Sequence, residues 1–137
     1  MSISHVPYDT ENGAEIDVFV SHPASISSPE KVTSPRKRVR LLIDTGAKRT
    51  AISGKTLGEM GLLPIAKTMM KTVGGDIEVG IYHIDLTCEY LSPVLRMEDM
   101  QVSEFKSPWR DGVLGRDFLE KVILEIDHAE GKAKIIT

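Results

Sequence analysis

Apolar and polar residues alternate along most of this chain, in short stretches separated by turn-forming residues. Between Ala14 and Val20, the apolar side chains Ile16, Val18 and Val20 all fall on one face. A period of two residues is typical of a β-strand with one buried face, so the pattern predicts an all-β protein. Further strands are predicted at 39–44, 50–52, 66–73, 77–88, 100–105, 122–126 and 132–136.

Two segments interrupt this pattern with helical features. Gly54–Met60 is consistent with a helical turn that Ser53 caps and Gly61 ends in a left-handed conformation. Near the C-terminus, Arg116–Lys121 is predicted to be a short helix.

The chain length favours a single domain, because 137 residues can bury one core but not two. The N-terminal segment, residues 1–13, is polar and lies outside the alternating pattern, and the predicted domain covers residues 14–137. Within the domain, residues 22–37 are rich in Ser and Pro and are expected to form a long exposed loop.

Net charge, cysteine content and the absence of long apolar runs argue against several classes of function. A net charge of -3 argues against nucleic acid, and the basic residues at 36–40 are better explained as a solvated loop end. Cys88 is the only cysteine, which excludes an intrachain disulfide and a thiolate metal cluster and favours a cytoplasmic setting. Because the chain has neither a signal-peptide pattern nor an apolar run of about 20 residues, no membrane association is expected.

The tripeptide Asp44-Thr45-Gly46 carries the candidate chemistry. It follows the apolar run Val39–Ile43, so the carboxylate stands at the end of a buried strand. Two carboxylates that share one proton can activate a water molecule and polarise an amide carbonyl without a metal. The tripeptide occurs once in the chain, so the second carboxylate would have to come from a second chain.

Three segments together resemble the retroviral-type (retropepsin-like) aspartic peptidases. Leu42–Ala47 resembles the active-site loop of that family, and Val73-Gly74-Gly75 lies downstream in a predicted hairpin, where the family has its flap. Val113–Leu119 resembles the second signature of the family, in which apolar residues precede Gly115-Arg116-Asp117 and a short helix. The resemblance implies a retropepsin-like half-barrel with a flap hairpin and one short C-terminal helix.

The resemblance also implies roles for individual residues. Asp44 would be the catalytic aspartate, the Thr45 hydroxyl would bond across a subunit interface, and the Gly46 backbone would approach the substrate. The positions expected to contact substrate are Ala47, Val73, Gly74, Gly75 and Asp76. Those expected to support the site are Leu114, Gly115, Arg116 and Asp117.

The assembly implied is a homodimer with Asp44 on the two-fold axis, in which residues 1–13 and an apolar, free C-terminal segment Lys134–Thr137 join an intersubunit sheet. The function implied is a cytoplasmic aspartic endopeptidase that acts on peptides with no metal or organic cofactor. An alternative is a catalytically weak or inactive member of the fold that serves as a dimerisation or peptide-binding module. A basic-loop nucleic-acid binder is a third reading.

Lys48 departs from the family pattern. Retroviral members have Asp immediately after Asp-Thr-Gly-Ala, where it pairs with the Arg of the second signature. With Lys48 in that place, Arg116 needs another partner, and Asp117, Asp111 or a backbone carbonyl are the candidates.

Overall fold

The structure, a computed structural model, describes residues 1–23 and 36–137, so most of the predicted loop at 22–37 lies outside the described residues. The strands within that part of the chain are β1 (Ile3–Val6), β2 (Tyr8–Asp9), β3 (Gly13–Ser21), β4 (Lys37–Ile43), β5 (Ala51–Ser53), β6 (Ala66–Thr72), β7 (Gly75–Cys88), β8 (Leu95–Phe105), β9 (Gly112–Leu114), β10 (Ile123–Asp127) and β11 (Lys132–Ile136). The helices are α1 (Gly54–Glu59) and α2 (Arg116–Leu119).

The buried side chains of the core are those that the alternating sequence pattern predicts. In β3, every second side chain from Ala14 to Val20 is buried, and the residues between them are partly exposed. These side chains join one apolar cluster with residues of β4, β7 and the Phe118 ring of α2. The prediction of a mostly β protein is therefore confirmed.

The larger sheet closes on itself. Its strand order is β2-β3-β4-β9-β5-β8-β7-β6, and β3 also pairs with β7. Six strands from β3 to β7 in that order thus form a closed ring of pairings around the apolar cluster. The hairpin of β6 and the first half of β7 extends beyond the ring.

Strand β9 is the element that organises the site. It lies between β4 and β5, parallel to β4 and antiparallel to β5. Leu114 is the register partner of Ile43, the last residue of β4. The chain that leaves β4 at Asp44 therefore runs beside the chain that leaves β9 at Gly115.

The C-terminal strand is not free, contrary to the expectation for Lys134–Thr137. Strand β11 is the middle strand of a three-stranded sheet, with β1 on one edge and β10 on the other. Backbone hydrogen bonds in both directions between Ser2 and Thr137, each 2.9 Å long, extend the pairing with β1. Hydrogen-bond partners within the same chain occupy both edges of this strand, so another chain can add only at β1 or β10.

The helical predictions hold, with one correction at Ser53. Both predicted helical segments form short helices in the described residues, α1 after β5 and α2 near the C-terminus. Gly61 follows α1 with a φ of 74°, as expected of a left-handed stop. Ser53 precedes α1 but makes no side-chain capping bond.

The basic residues at 36–40 are mostly neutralised on the surface. Besides its ion pair with Glu89, the Arg36 guanidinium lies 3.8 Å from the centroid of the Phe19 ring. The Arg40 guanidinium hydrogen-bonds the Asp17 carboxylate, which lowers the pKa of Asp17. The ion pairs are Arg36–Glu89, Lys37–Glu59 and Arg40–Asp17.

Two further expectations concern Cys88 and the membrane. The Cys88 thiol is fully buried in the apolar cluster, and this burial raises its pKa. In the described part of the chain, no helix has the length and apolar character needed to cross a bilayer.

Candidate active site

Asp44 stands at the exit of β4 in a tight turn. Its backbone N–H donates to the Leu114 carbonyl of β9 at 3.0 Å, which continues the pairing of the two strands. The Ala47 N–H donates to the Asp44 carbonyl at 3.1 Å, closing a four-residue turn. Inside this turn, the Gly46 N–H donates to Oδ1 of Asp44 at 2.9 Å. The half-buried carboxylate is therefore oriented by the backbone that follows it.

Gly46 and Gly115 allow this packing because they lack a Cβ. A Cβ on Gly115 would lie 2.7 Å from the carbonyl carbon of Arg49 and 2.9 Å from the Ala47 oxygen, a closer approach than real Cβ atoms make. A Cβ on Gly46 would lie 3.2 Å from Oδ1 of Asp44. Gly115 is thus required by the contact between the loop after β4 and the start of α2.

A buried hydrogen-bond network holds the far end of the loop. Thr50 is fully buried, and its Oγ1 donates to Asp117 Oδ1 at 2.7 Å while accepting from the Gly115 N–H at 3.0 Å. The Thr50 N–H donates to Asp117 Oδ2 at 2.9 Å. Asp117 Oδ1 also accepts from the Phe118 N–H, so the carboxylate bonds both to the loop and to its own helix.

Thr50 is the residue that the sequence analysis missed. The sequence pattern predicts only the start of a short strand there, although the Thr50 hydroxyl links Gly115 to Asp117. The sequence does contain one sign of this role: Thr50 is a polar residue at the start of an apolar strand, shortly after Asp44. Burying a hydroxyl is unfavourable unless it is hydrogen-bonded, so a buried Thr at this position implies a hydrogen-bond partner.

Arg116 bonds the loop through a backbone carbonyl. Its Nη1 donates to the Thr45 oxygen at 3.3 Å, and its backbone N–H donates to the Ala47 oxygen at 2.8 Å. Of the three candidate partners, Asp117 is engaged by Thr50, and Asp111 accepts from the Arg40 N–H at 2.9 Å. The carbonyl alternative is the one that the geometry supports, and it needs no carboxylate at position 48.

The hairpin of β6 and β7 carries the remaining candidate residues. Thr72 is the register partner of Gly75, so Val73 and Gly74 form the tip. Gly75 has a φ of 115°, and its carbonyl accepts a hydrogen bond from the Thr72 hydroxyl. Val73 is fully exposed. Across residues 1–23 and 36–137, no hydrogen bond or ion pair joins this tip to the Asp44 loop.

The structure thus brings some predicted site residues together and leaves others apart. The loop Asp44–Ala47 contacts the segment Leu114–Asp117 directly, as predicted for a loop and its support. The positions Val73–Asp76 stand at the end of a projecting hairpin.

A surface groove of about 690 Å³ lies elsewhere, on the sheet of β1, β11 and β10, where His5, Glu125, His128 and Lys134 are among its lining residues. It contains none of the candidate site residues. Within the described residues, no group of three or more His, Cys, Asp or Glu side chains is arranged to hold a metal ion.

The comparison with protein families identifies the class. A family model described as aspartyl protease matches residues 31–118. The matched region is more than half of the chain and contains both the Asp44 loop and the Gly115-Arg116-Asp117 segment. The chain belongs to the aspartyl protease family.

Solved structures show the fold within that class. The chain is similar to a retropepsin-like aspartic protease from Rickettsia conorii, with a TM-score of 0.62 and 14% sequence identity. The match covers 98% of this chain and 89% of that chain. The predicted retropepsin-like fold is therefore confirmed. No curated protein matches the chain in sequence.

Proposed function

We propose that this protein is an aspartic endopeptidase whose active site forms between two copies of the chain. Each copy contributes one Asp44 carboxylate, and the two carboxylates face each other across a two-fold axis. Because Asp44-Thr45-Gly46 occurs once in the sequence, a single chain supplies only half of the acid–base pair that this chemistry needs.

The oriented carboxylate of Asp44 is the observation that carries the proposal. Its Oδ1 accepts from the Gly46 N–H, and its own N–H is bonded to β9. Gly115 and Thr50 hold the surrounding loop rigidly. A turn aspartate commonly makes the bond from the N–H two residues on, and here that bond together with the packing on Gly115 gives the carboxylate one orientation, which a catalytic group requires.

The reaction follows from a pair of carboxylates that shares one proton. The ionised Asp44 takes a proton from water as the water oxygen attacks the peptide carbonyl carbon, and the protonated Asp44 gives its proton to the carbonyl oxygen. The tetrahedral intermediate then returns one hydroxyl proton to a carboxylate. The amide nitrogen takes the proton of the carboxyl group that the water had protonated, the C–N bond breaks, and a carboxylic acid and an amine are released while the pair again holds one proton.

The hairpin tip is proposed to close over the bound peptide. Val73–Asp76 are suited to this role because they project beyond the closed ring of strands, and Val73 is exposed. An extended peptide can pair with the hairpin backbone in the manner of an added strand, and closure excludes water. Ala47 would face the same peptide from below.

The second candidate function is a module that binds peptide or dimerises without cleaving. Lys48, in place of the usual acidic residue, is the observation that favours it. The bonds from Arg116 to the Thr45 and Ala47 carbonyls weaken this alternative, because the loop keeps its support without that acidic residue.

The deciding experiment compares cleavage of a peptide library by the wild type, by Asp44→Asn and by Asp127→Asn. The two variants make the same chemical change, but Asp127 lies on β10, outside the site. We expect Asp44→Asn to abolish cleavage and retain the folded circular dichroism spectrum, because only the proton-transfer group is lost. Asp127→Asn should cleave at close to the wild-type rate.

The wild-type pH profile of kcat/KM should be bell-shaped, with its maximum on the acidic side of neutral, because both fully protonated and fully ionised pairs are inactive. A pepstatin-type inhibitor should block the activity. Cleavage by Asp44→Asn at the wild-type rate, or binding of peptides without cleavage at any pH, would contradict the endopeptidase proposal.

A further inference from the structure

Three cations surround the Asp44 loop without a carboxylate partner. Lys48, Arg49 and Arg116 are all exposed. Across residues 1–23 and 36–137, none of the three forms an ion pair. This distinguishes them from Arg36, Lys37 and Arg40, each of which faces an acidic side chain.

The local positive charge is not a consequence of overall composition, because the chain carries a net charge of -3. Asp117 is the carboxylate on the supporting segment Leu114–Asp117. Its oxygens accept hydrogen bonds from Thr50 and from the Phe118 N–H, and among the described residues it forms no ion pair with the three cations. In the catalytic pair, Asp44 and its copy would together carry a single negative charge, because they share one proton. The loop side of the site is therefore left cationic, whereas the hairpin that would cover the peptide carries a carboxylate at Asp76.

The backbone that carries these side chains is fixed at both ends. The Ala47 oxygen accepts from the Arg116 N–H at 2.8 Å, and the Thr50 N–H donates to Asp117 at 2.9 Å. Between these points, Gly115 packs directly on the Arg49 backbone. Lys48 and Arg49 are thus exposed residues of a loop that hydrogen bonds hold at both ends, so their charges stay close to the site.

Chain geometry bounds the distance from Lys48 to the catalytic residue Asp44. The hydrogen-bonded turn Asp44–Ala47 keeps its end Cα atoms within about 7 Å, and one more residue adds about 3.8 Å. The Lys48 Cα therefore lies within about 11 Å of the Asp44 Cα. Because an extended peptide advances about 3.3 Å per residue, this upper limit corresponds to about three substrate residues.

We propose that this site selects peptides with Asp or Glu about two to four residues from the scissile bond, and that Lys48 and Arg49 determine this preference. The proposal rests on the peptidase site described above. Because the two copies are related by a two-fold axis, the preference should hold on both sides of the scissile bond.

The test uses two sets of peptides that differ only by Glu or Gln at the second to fourth positions on either side of one cleavable bond. Cleavage is measured with the wild-type protein, and equilibrium binding is measured with the full-length Asp44→Asn protein. We expect each Glu to raise both kcat/KM and affinity about two- to five-fold over Gln at low salt, as for an exposed ion pair. The ratio should approach one at about 1 M NaCl, where charges are screened within about 3 Å.

The variants assign the effect to specific residues. Lys48→Gln combined with Arg49→Gln should remove most of the Glu-over-Gln ratio, and Lys48→Glu with Arg49→Glu should invert it. The control is Lys55→Gln, because Lys55 is an exposed lysine on α1 outside the loop. This control should keep the wild-type ratio.

The outcomes separate this inference from the proposed function. Equal binding and cleavage of Glu and Gln peptides would overturn the acidic preference while leaving the peptidase intact. Tighter binding of the Glu peptides with no cleavage by the wild type would support the preference and overturn the peptidase. An unchanged ratio in the double variant would overturn the assignment to Lys48 and Arg49.

Discussion

Asp44 is placed by residues that are distant in the sequence. Its N–H bonds Leu114, and the loop that follows it packs on Gly115 and is tied by Thr50 to Asp117. None of these residues performs the proposed chemistry. They hold the Asp44 carboxylate in one orientation, and that is the condition under which a second copy could meet it face to face.

Thr50→Val tests this support at the scale of one residue. The change keeps the shape of the side chain but leaves Asp117 Oδ1 and the Gly115 N–H each without a partner that they have in the wild type. We expect the free energy of unfolding to fall by about 1–3 kcal/mol. Urea denaturation measures the loss.

The matched control for Thr50→Val is Thr68→Val on β6, where the side chain is exposed. That substitution should change the stability little. Equal stability of the Thr50→Val variant and the wild type would show that the network does not hold the loop.

The hairpin of β6 and the first half of β7 has little support from the rest of the molecule. Almost all of β6 is exposed, and β6 pairs only with β7 among the described strands. Its local stability therefore depends on the strand register and on the turn. An element that must open for a peptide to enter is expected to be drawn from the less stable part of a fold.

A pair of glycine variants tests the hairpin. Gly75 has a φ of 115°, which disfavours any residue with a Cβ, whereas Gly74 does not have a positive φ and a Cβ there would meet nothing closer than 4.0 Å. Gly75→Ala should weaken the closed turn by about 1–3 kcal/mol, as for a strained backbone. Amide hydrogen exchange in the hairpin should accelerate, and kcat/KM should fall.

Gly74→Ala serves as the control, and it should leave both quantities near their wild-type values. If the two variants behaved alike, the conformation of Gly75 would not matter for the hairpin.

At the scale of the whole molecule, the C-terminal strand changes how two copies can meet. Because β1 and β10 occupy both edges of β11, a second chain cannot insert beside β11 without displacing one of them. The expected participation of residues 1–13 in the dimer remains a prediction, since β11 is the one strand that pairs with β1 within the described residues, although the His5 carbonyl of β1 accepts a hydrogen bond from the Tyr90 hydroxyl.

A mixing experiment tests whether two chains share one site. Asp44→Asn chains are added to an equal amount of wild type, and the subunits are allowed to exchange. If each active site needs an ionisable Asp44 from both chains, activity should fall to about half, because about half of the wild-type chains then have an inactive partner. Specific activity of the wild type should also fall on dilution below the dissociation constant of the dimer.

The control for the mixing experiment adds Asp127→Asn chains, which should not lower activity. Activity that is unaffected by Asp44→Asn chains under exchange would show that each chain acts alone.

Local patterns predicted most of the longer strands, because side-chain alternation depends only on neighbouring residues. The short strands β1, β2 and β9 were not predicted, since too few residues alternate in them. The predicted strand at 14–20 corresponds to β3, and the segments flanking Gly74 correspond to β6 and β7. The order of strands was not predictable in the same way. Nothing local indicates that β9 lies between β4 and β5, because that position depends on hydrogen bonds between segments some 70 residues apart in the chain.

The sequence by itself determined which residues are available for the proposed chemistry. These are one Asp44 carboxylate, glycines at 46, 75 and 115, and cations at 48, 49 and 116. It also determined the class of fold, because alternation and motif order are properties of the chain. Only the tertiary structure decided that Arg116 bonds a carbonyl, that Thr50 links Gly115 to Asp117, and that β11 has both edges filled. Close packing and hydrogen bonding between distant segments select these partners, and no local pattern contains that information.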